Sequence, residues 1–278
     1  MTLTSRSLLA ALAFCLPAAV SAQELPARIK SAGKIIVATQ PNYPPIIFKD
    51  PATNTLTGLD IEIGEAIGKE LGVAIEWQET AFAQMLPSLQ TGRVDMVMAG
   101  MSDKPARRET ADFIDYFSSG AQFYTITALA PGLKTLEDLC GKTVGASRAT
   151  SWLAEMEAWS KENCVAKGKP ALTIVGTEGS VDARTQLKTQ RLQAAVQGSE
   201  VMPYFLKLEP NTYVPIGAPF TDVRAGIPFV KTTEGNQLRD AVKGALDRLK
   251  AKGTYDAIFV KYGLPTSALP KITINEGK

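Results

Sequence analysis

One arginine set among small residues is the grouping most suited to chemistry in this chain. Arg107 follows the strand-like run Asp95-Met96-Val97-Met98-Ala99 and the turn Gly100-Met101-Ser102, and it precedes the apolar-aromatic stretch Phe113-Ile114-Asp115-Tyr116-Phe117. A guanidinium holds a planar carboxylate by two parallel charge-assisted hydrogen bonds, Gly100 lets the backbone come close, and Ser102 offers a short hydroxyl. The grouping therefore predicts an anion seat, with a surface ion-pair partner as the alternative reading. The chain has no histidine, which removes the usual acid-base residue and a principal soft-metal ligand. No metal, no cofactor and no nucleotide-binding loop are expected.

The elements that would position this seat alternate between strand and helix. Ile35 to Thr39 reads as a buried strand, and the stiff turn Pro41-Asn42-Tyr43-Pro44-Pro45 projects Tyr43 beyond its end. Asp60 can cap a helix whose Ile63, Ala66, Ile67 and Leu71 share a face, with Gly72 as the stop. A strand to Trp77 follows, then helix spacing at Phe82, Leu86 and Leu89, then the strand Asp95 to Ala99. After Pro131 the pattern restarts: a capping-type Thr135-Leu136-Glu137-Asp138, strands near 143–146, 172–175 and 194–196, and helices near 151–160, 181–189 and 202–208. Extended segments 121–127 and 225–230 connect the two units, and two amphipathic helices, 236–252 and 255–262, close the chain. The alternation predicts an α/β protein with open, mostly parallel sheets.

The ends and the composition bound the rest. Residues 1–22 read as a cleaved signal peptide: Arg6, an apolar stretch from Leu8 to Val20, then Val20-Ser21-Ala22 before Gln23. An exported, soluble, periplasmic protein is expected, and Cys15 inside the apolar stretch argues against a lipid anchor. That leaves Cys140 and Cys164, an even count in an oxidising compartment, predicted to form a disulfide. The 30 basic and 28 acidic residues nearly balance once Arg6 is lost, with no block of either sign, so nucleic acid and anionic membrane are not expected partners.

In order and spacing these segments resemble the family-3 extracellular solute-binding proteins, the polar amino-acid receptors of ABC importers. The matching pieces are Tyr43-Pro44-Pro45; Gly58-Leu59-Asp60-Ile61-Glu62-Ile63; Phe82 with Leu86-Pro87-Ser88-Leu89; Gly92-Arg93-Val94-Asp95; Ala99-Gly100-Met101-Ser102 with Arg107; and Gly253-Thr254-Tyr255-Asp256. The resemblance implies a periplasmic-binding-protein-like fold, two α/β lobes joined by two hinge strands. The large lobe would hold residues 23–124 plus 219–278 and the small lobe residues 125–218. It also implies a monomer that delivers a small-molecule ligand, an amino acid or derivative, to an ABC permease in the inner membrane.

Carried over residue by residue, the resemblance gives Arg107 and Ser102 the ligand carboxylate, the Gly100 carbonyl an α-ammonium, and Phe82 and Tyr43 the ligand side chain. Ser147, Thr150 and Ser151 precede a small-lobe helix, where they suit either a carboxylate or N-capping. Two departures bear on the ligand. Gly198 stands where amino-acid binders usually carry an aspartate, so either Glu200 reaches the ammonium or the ligand has a modified or absent amine, as in an opine, a betaine-like derivative or an acidic compound. Gln40 stands where several cationic amino-acid binders have an acid, which disfavours a lysine- or arginine-type ligand. Arg148 is expected to point away from the cleft by strand alternation. The rival readings are a cyclohexadienyl-dehydratase-like enzyme using Glu200 or Glu178 as acid or base, and a sensing module serving a chemoreceptor.

Overall fold

The computed structural model describes residues 24–148 and 150–277, so the expected leader, residues 1–22, lies outside the described residues. Lys34–Thr39, a β-branched run buried at most positions, has parallel neighbours on both sides, Ala74–Glu79 and Met96–Val97. Two helices supply the crossovers. Leu59–Leu71 buries Leu59, Ile63 and Ile67 and stops at Gly72, whose φ of 71° is the left-handed cap that glycine provides cheaply. A Cβ at Gly64 would stand 2.6 Å from the Trp77 ring, so glycine sets how closely this helix lies on its sheet. Phe82–Gln90 forms the second crossover. Asp60 is not the cap predicted from sequence: the helix begins one residue earlier behind Gly58. The Asp60 carboxylate turns inward and accepts from Tyr116 Oη at 2.6 Å.

A five-stranded sheet forms the other half of the molecule. Thr173–Thr177, Thr143–Ser147 and Ala194–Gly198 run parallel in that spatial order, followed by Ala121–Ile126, antiparallel to both its neighbours, and then Tyr213–Ile216. Trp152–Asn163 and Ser180–Lys188 are its crossover helices. In each parallel set the strand that comes first in the chain lies between the next two. That arrangement creates a topological switch point, where loops diverge to opposite faces beyond the strands' carboxyl ends and leave a crevice.

A third sheet, Val223–Val230, Ala111–Ser119 and Ala268–Ile274, joins the first half through a Ser102–Ala225 bridge. The closing strand Ala268–Ile274 was not anticipated from sequence; neither were the short helix Ala27–Ala32 and the small sheet of Asn42–Tyr43, Ile47–Lys49 and Leu56–Thr57. The chain passes between halves twice. Ala111–Ser119 belongs to the third sheet and Ala121–Ile126 pairs throughout within the five-stranded one, so sheet membership changes at Gly120. The return runs through residues 217–222. The two passages are stitched together: Ala121 N donates to Thr221 Oγ1 at 2.8 Å and Phe220 N to the Ala121 carbonyl at 2.8 Å.

Separate apolar clusters serve the two halves. One gathers Ile35, Ile63, Tyr116, Leu246 and Phe259; others gather Phe123, Val144 and Met156 or Tyr124, Leu187 and Phe205. Tyr43 packs against clusters of both halves. Cys140 and Cys164 are disulfide-bonded, with Cα atoms 5.5 Å apart, as their even count predicts. Among the described residues no helix is long and apolar enough to cross a membrane.

Candidate functional site

The carboxyl ends of the parallel strands from both halves face one another across a cavity of about 160 Å³. Gln40, Tyr43, Phe82, Gly100, Ser102 and Arg107 line it from one half, and Ser147, Thr150 and Ser151 from the other. Gln40 follows the first strand, and its Oε1 accepts from Phe82 N at 3.0 Å, pinning the start of helix Phe82–Gln90 to the strand end. Gly100 sits at φ +60° with the Tyr43 ring only 3.0 Å from where a Cβ would be, so glycine answers both the backbone and the close approach. Arg107 rises from the short helix Pro105–Arg108. Its Nη1 donates to the Ser102 carbonyl at 2.8 Å, and its guanidinium lies 5.6 Å from the Phe82 ring centre.

Burial lowers the Arg107 pKa, and the nearby carboxylates of Glu155 and Asp103 oppose that shift. Each of those acids has its own cation. Lys104 Nζ is 2.8 Å from Glu155 Oε1, an ion pair that bridges the two halves, and Arg108 grips Asp103 at 2.5 and 2.7 Å. On the far wall Thr150 Oγ1 donates to the Ser147 carbonyl at 2.7 Å, curling the loop that leads into helix Trp152–Asn163. Ser151 occupies the N-cap position of that helix without a side-chain capping bond.

Glu200, expected at the ligand, does not line the cavity. It is 3% exposed; one oxygen accepts from Tyr43 Oη and the other from Ser119 Oγ at 2.5 Å. Burial raises its pKa against those two donors, and burial together with Glu200 holds the Tyr43 hydroxyl well above its ordinary range. This arrangement explains Gly198. A Cβ there would meet Tyr43 Oη at 2.2 Å and Glu200 Oε1 at 2.3 Å, so Tyr43, reaching across from the other half, and Glu200 fill the space a side chain would need.

Arg148 does line the cavity, contrary to expectation, because the strand ends at Ser147 and alternation lapses in the turn. Its Nε binds Glu178 Oε1 at 2.7 Å at an exposed rim. Sequence reasoning missed Asn42, Trp152, Thr177, Ser180 and Gln197, which also line the cavity; Glu178, weighed only as an acid or base of the rival enzyme, lines it too. A usable signal existed for two of them. Thr177 pairs with Ser147 in parallel register, and Gln197 follows Ala195, the partner of Gly145, so all three end adjacent parallel strands where ligands bind in such sheets. The Tyr43 and Trp152 rings, 6.4 Å apart, close one side. A cationic fork, aromatic walls and two helix starts are groups able to hold a small anionic solute.

Residues 35–265 match the model of the bacterial extracellular solute-binding proteins, family 3. The chain is 27% identical to the arginine-binding protein ArgT of Corynebacterium glutamicum, over 91% of this chain and 81% of that one. Among solved structures, a mutant of ArgBP from T. maritima superposes with a TM-score of 0.75 at 26% identity, over 85% of this chain and 97% of that one. An ancestral amino-acid-binding protein described as a precursor of cyclohexadienyl dehydratase does so with a TM-score of 0.71 at 30% identity, over 84% and 97%. Two α/β halves linked by paired passages are thus the periplasmic-binding-protein fold that the resemblance implied. The chain is a member of the bacterial extracellular solute-binding proteins, family 3.

Proposed function

We propose that this protein is the periplasmic solute receptor of an ABC importer and captures a small carboxylate-bearing amino acid, or a derivative of one, between two closing lobes. The lobes divide at Gly120 and within residues 217–222. The ligand carboxylate docks on Arg107, with Ser102 beside it and Phe82 and Tyr43 along the side chain. Ser147, Thr150 and Ser151 then close from the other lobe, and a permease reads the closed form of the monomer. Hinge closure of periplasmic binding proteins is a general expectation for this fold. The observation that carries the reading is Arg107, largely withdrawn from solvent in the crevice between the halves and steadied by the Ser102 carbonyl.

The dehydratase reading needs a carboxylate free to move a proton. Glu200 is engaged by Tyr43 and Ser119 away from the cavity, and Glu178 is tied to Arg148, so capture is favoured. Native mass spectrometry of protein purified without denaturation should identify a retained solute. Calorimetric titration should then show Arg107→Ala losing ~2–5 kcal/mol of affinity, since a desolvated carboxylate is left unpaired. Unchanged affinity refutes the assignment. Conversion of prephenate or arogenate by the purified protein would favour the enzyme instead.

A further inference from the structure

The element that carries Arg107 is too small to hold its own shape. Helix Pro105–Arg108 has four residues and no side-chain cap, and a single turn fixes more backbone freedom than its few hydrogen bonds return. The position of the Arg107 guanidinium is therefore set by whatever grips residues 102–108 from outside. One grip is the neighbouring strand: Ser102 bridges Ala225, and Asp103 N donates to the Arg224 carbonyl at 2.9 Å.

The other grip comes from far along the chain. Gly277 N donates to Asp103 Oδ2 at 2.8 Å, Arg108 Nη2 donates to the Gly277 carbonyl, and Arg108 also holds both oxygens of Asp103. Asp103, Arg108 and Gly277 thus close a ring of hydrogen bonds around the two ends of the Arg107 turn. Just upstream, Glu276 N donates to Asp115 Oδ2 at 3.0 Å, Asn275 N donates to the Phe113 carbonyl at 3.0 Å, and Phe113 N donates to Asn275 Oδ1 at 2.8 Å. The fit is close as well as bonded, since a Cβ at Gly277 would stand 2.2 Å from the Asp103 carbonyl oxygen. Asp103 and Asp115 are both fully buried. A carboxylate is kept inside a protein only where donors meet it, and no ligand contact of the capture reading accounts for either acid. Both are accounted for as grips on residues 275–277.

We infer that residues 275–277 are a clasp that positions the carboxylate seat: by holding Asp103 and Arg108 they set where the Arg107 guanidinium meets the ligand. None of the three lines the cavity, so they act through Arg107 as positioning residues. The inference rests on the capture reading above.

The test uses Gly277→Ala and a chain lacking residues 275–278, which keeps the closing strand Ala268–Ile274 intact. Hydrogen exchange followed by mass spectrometry needs no ligand. Amides of residues 103–110 should exchange at least about tenfold faster in the shortened chain, while those of the five-stranded sheet keep their protection. Unchanged protection at 103–110 overturns the clasp. The second reading is calorimetric titration with whichever of the twenty standard L-amino acids most raises the melting temperature. Shortening should weaken that probe about tenfold and Gly277→Ala should weaken it less, because a two-pronged guanidinium pairs with a carboxylate only when correctly placed. In an Arg107→Lys background, where a point charge on a flexible stem tolerates displacement, shortening should cost at most about twofold. An equal cost in both backgrounds marks general loosening and overturns the positioning role, as does unchanged affinity in the shortened chain. Should none of the twenty bind, the exchange result alone decides the clasp. Undiminished binding by Arg107→Ala would instead remove the capture reading, whatever the exchange measurement shows.

Discussion

Asp60 offers a quantitative test of how the crevice floor is built. It is fully buried beneath Gly100 in the first turn of helix Leu59–Leu71, with its carboxylate on the Tyr116 hydroxyl. Burial pushes its pKa from an ordinary 3.8 up to about 7, opposed by the Tyr116 hydroxyl and the Gly100 backbone and assisted by Glu200. An acid whose pKa is raised on folding keeps its proton longer in the native state, so the native state is favoured at low pH. That advantage is complete below the unfolded value of 3.8 and is lost as pH rises through about 7. At ~1.4 kcal/mol per tenfold change in the proton equilibrium, the gap between those values is worth ~4 kcal/mol of stability lost on ionisation. Asp60→Asn keeps an oxygen for Tyr116 and cannot ionise. Denaturant unfolding of both proteins between pH 4 and pH 8 should show the variant gaining on the parent by ~4 kcal/mol across the range, most of it before pH 7.5. Two stability curves that stay parallel would refute the burial argument.

Gly198→Ala should lower stability and ligand affinity together, by ~1–3 kcal/mol in unfolding experiments, because its methyl group overlaps Tyr43 Oη and Glu200. A double-mutant cycle of Lys104→Gln and Glu155→Gln should give ~1 kcal/mol of coupling in calorimetrically measured affinity, since the pair spans the crevice, and added salt should weaken it. Reducing Cys140–Cys164 should cost ~3 kcal/mol of unfolding free energy for the 24-residue separation, on the chain-entropy model. Affinity should hold in titrations, because the disulfide lies at the end of helix Trp152–Asn163 remote from the cavity.

Much of the fold was legible because each parallel unit carries its own punctuation. Apolar spacing at Ile63 and Ile67 followed by Gly72 marks one helix, and β-branched runs such as Ile35 to Val37 mark central strands. What escaped is governed by partners distant in sequence. Ala268–Ile274 is a strand because it finds Ala111–Ser119, and Asp60 is a buried acceptor rather than a cap because Tyr116 lies over it. The cavity divides the same way. Arg107 and Gly100 announce themselves by type and spacing and Phe82 only through the family resemblance, whereas Gln197 looks like an ordinary polar residue until the strand register carries it to the crevice. Glu200 was misplaced because nothing local indicates that Tyr43 would cross from the other half to claim it.

The side-by-side passages at Gly120 and residues 217–222 constrain how such a molecule could move. A methyl group on residue 120 would come within 2.4 Å of the Thr221 carbonyl, so the two ribbons touch and must flex in step. If the lobes close as proposed, a twin strap of this kind would act like the spine of a book: the covers would swing through one arc and resist twisting or sliding. Each time they shut, Arg107 would meet the same stretch of the opposing page, and a solute would be gauged against a single reproducible geometry.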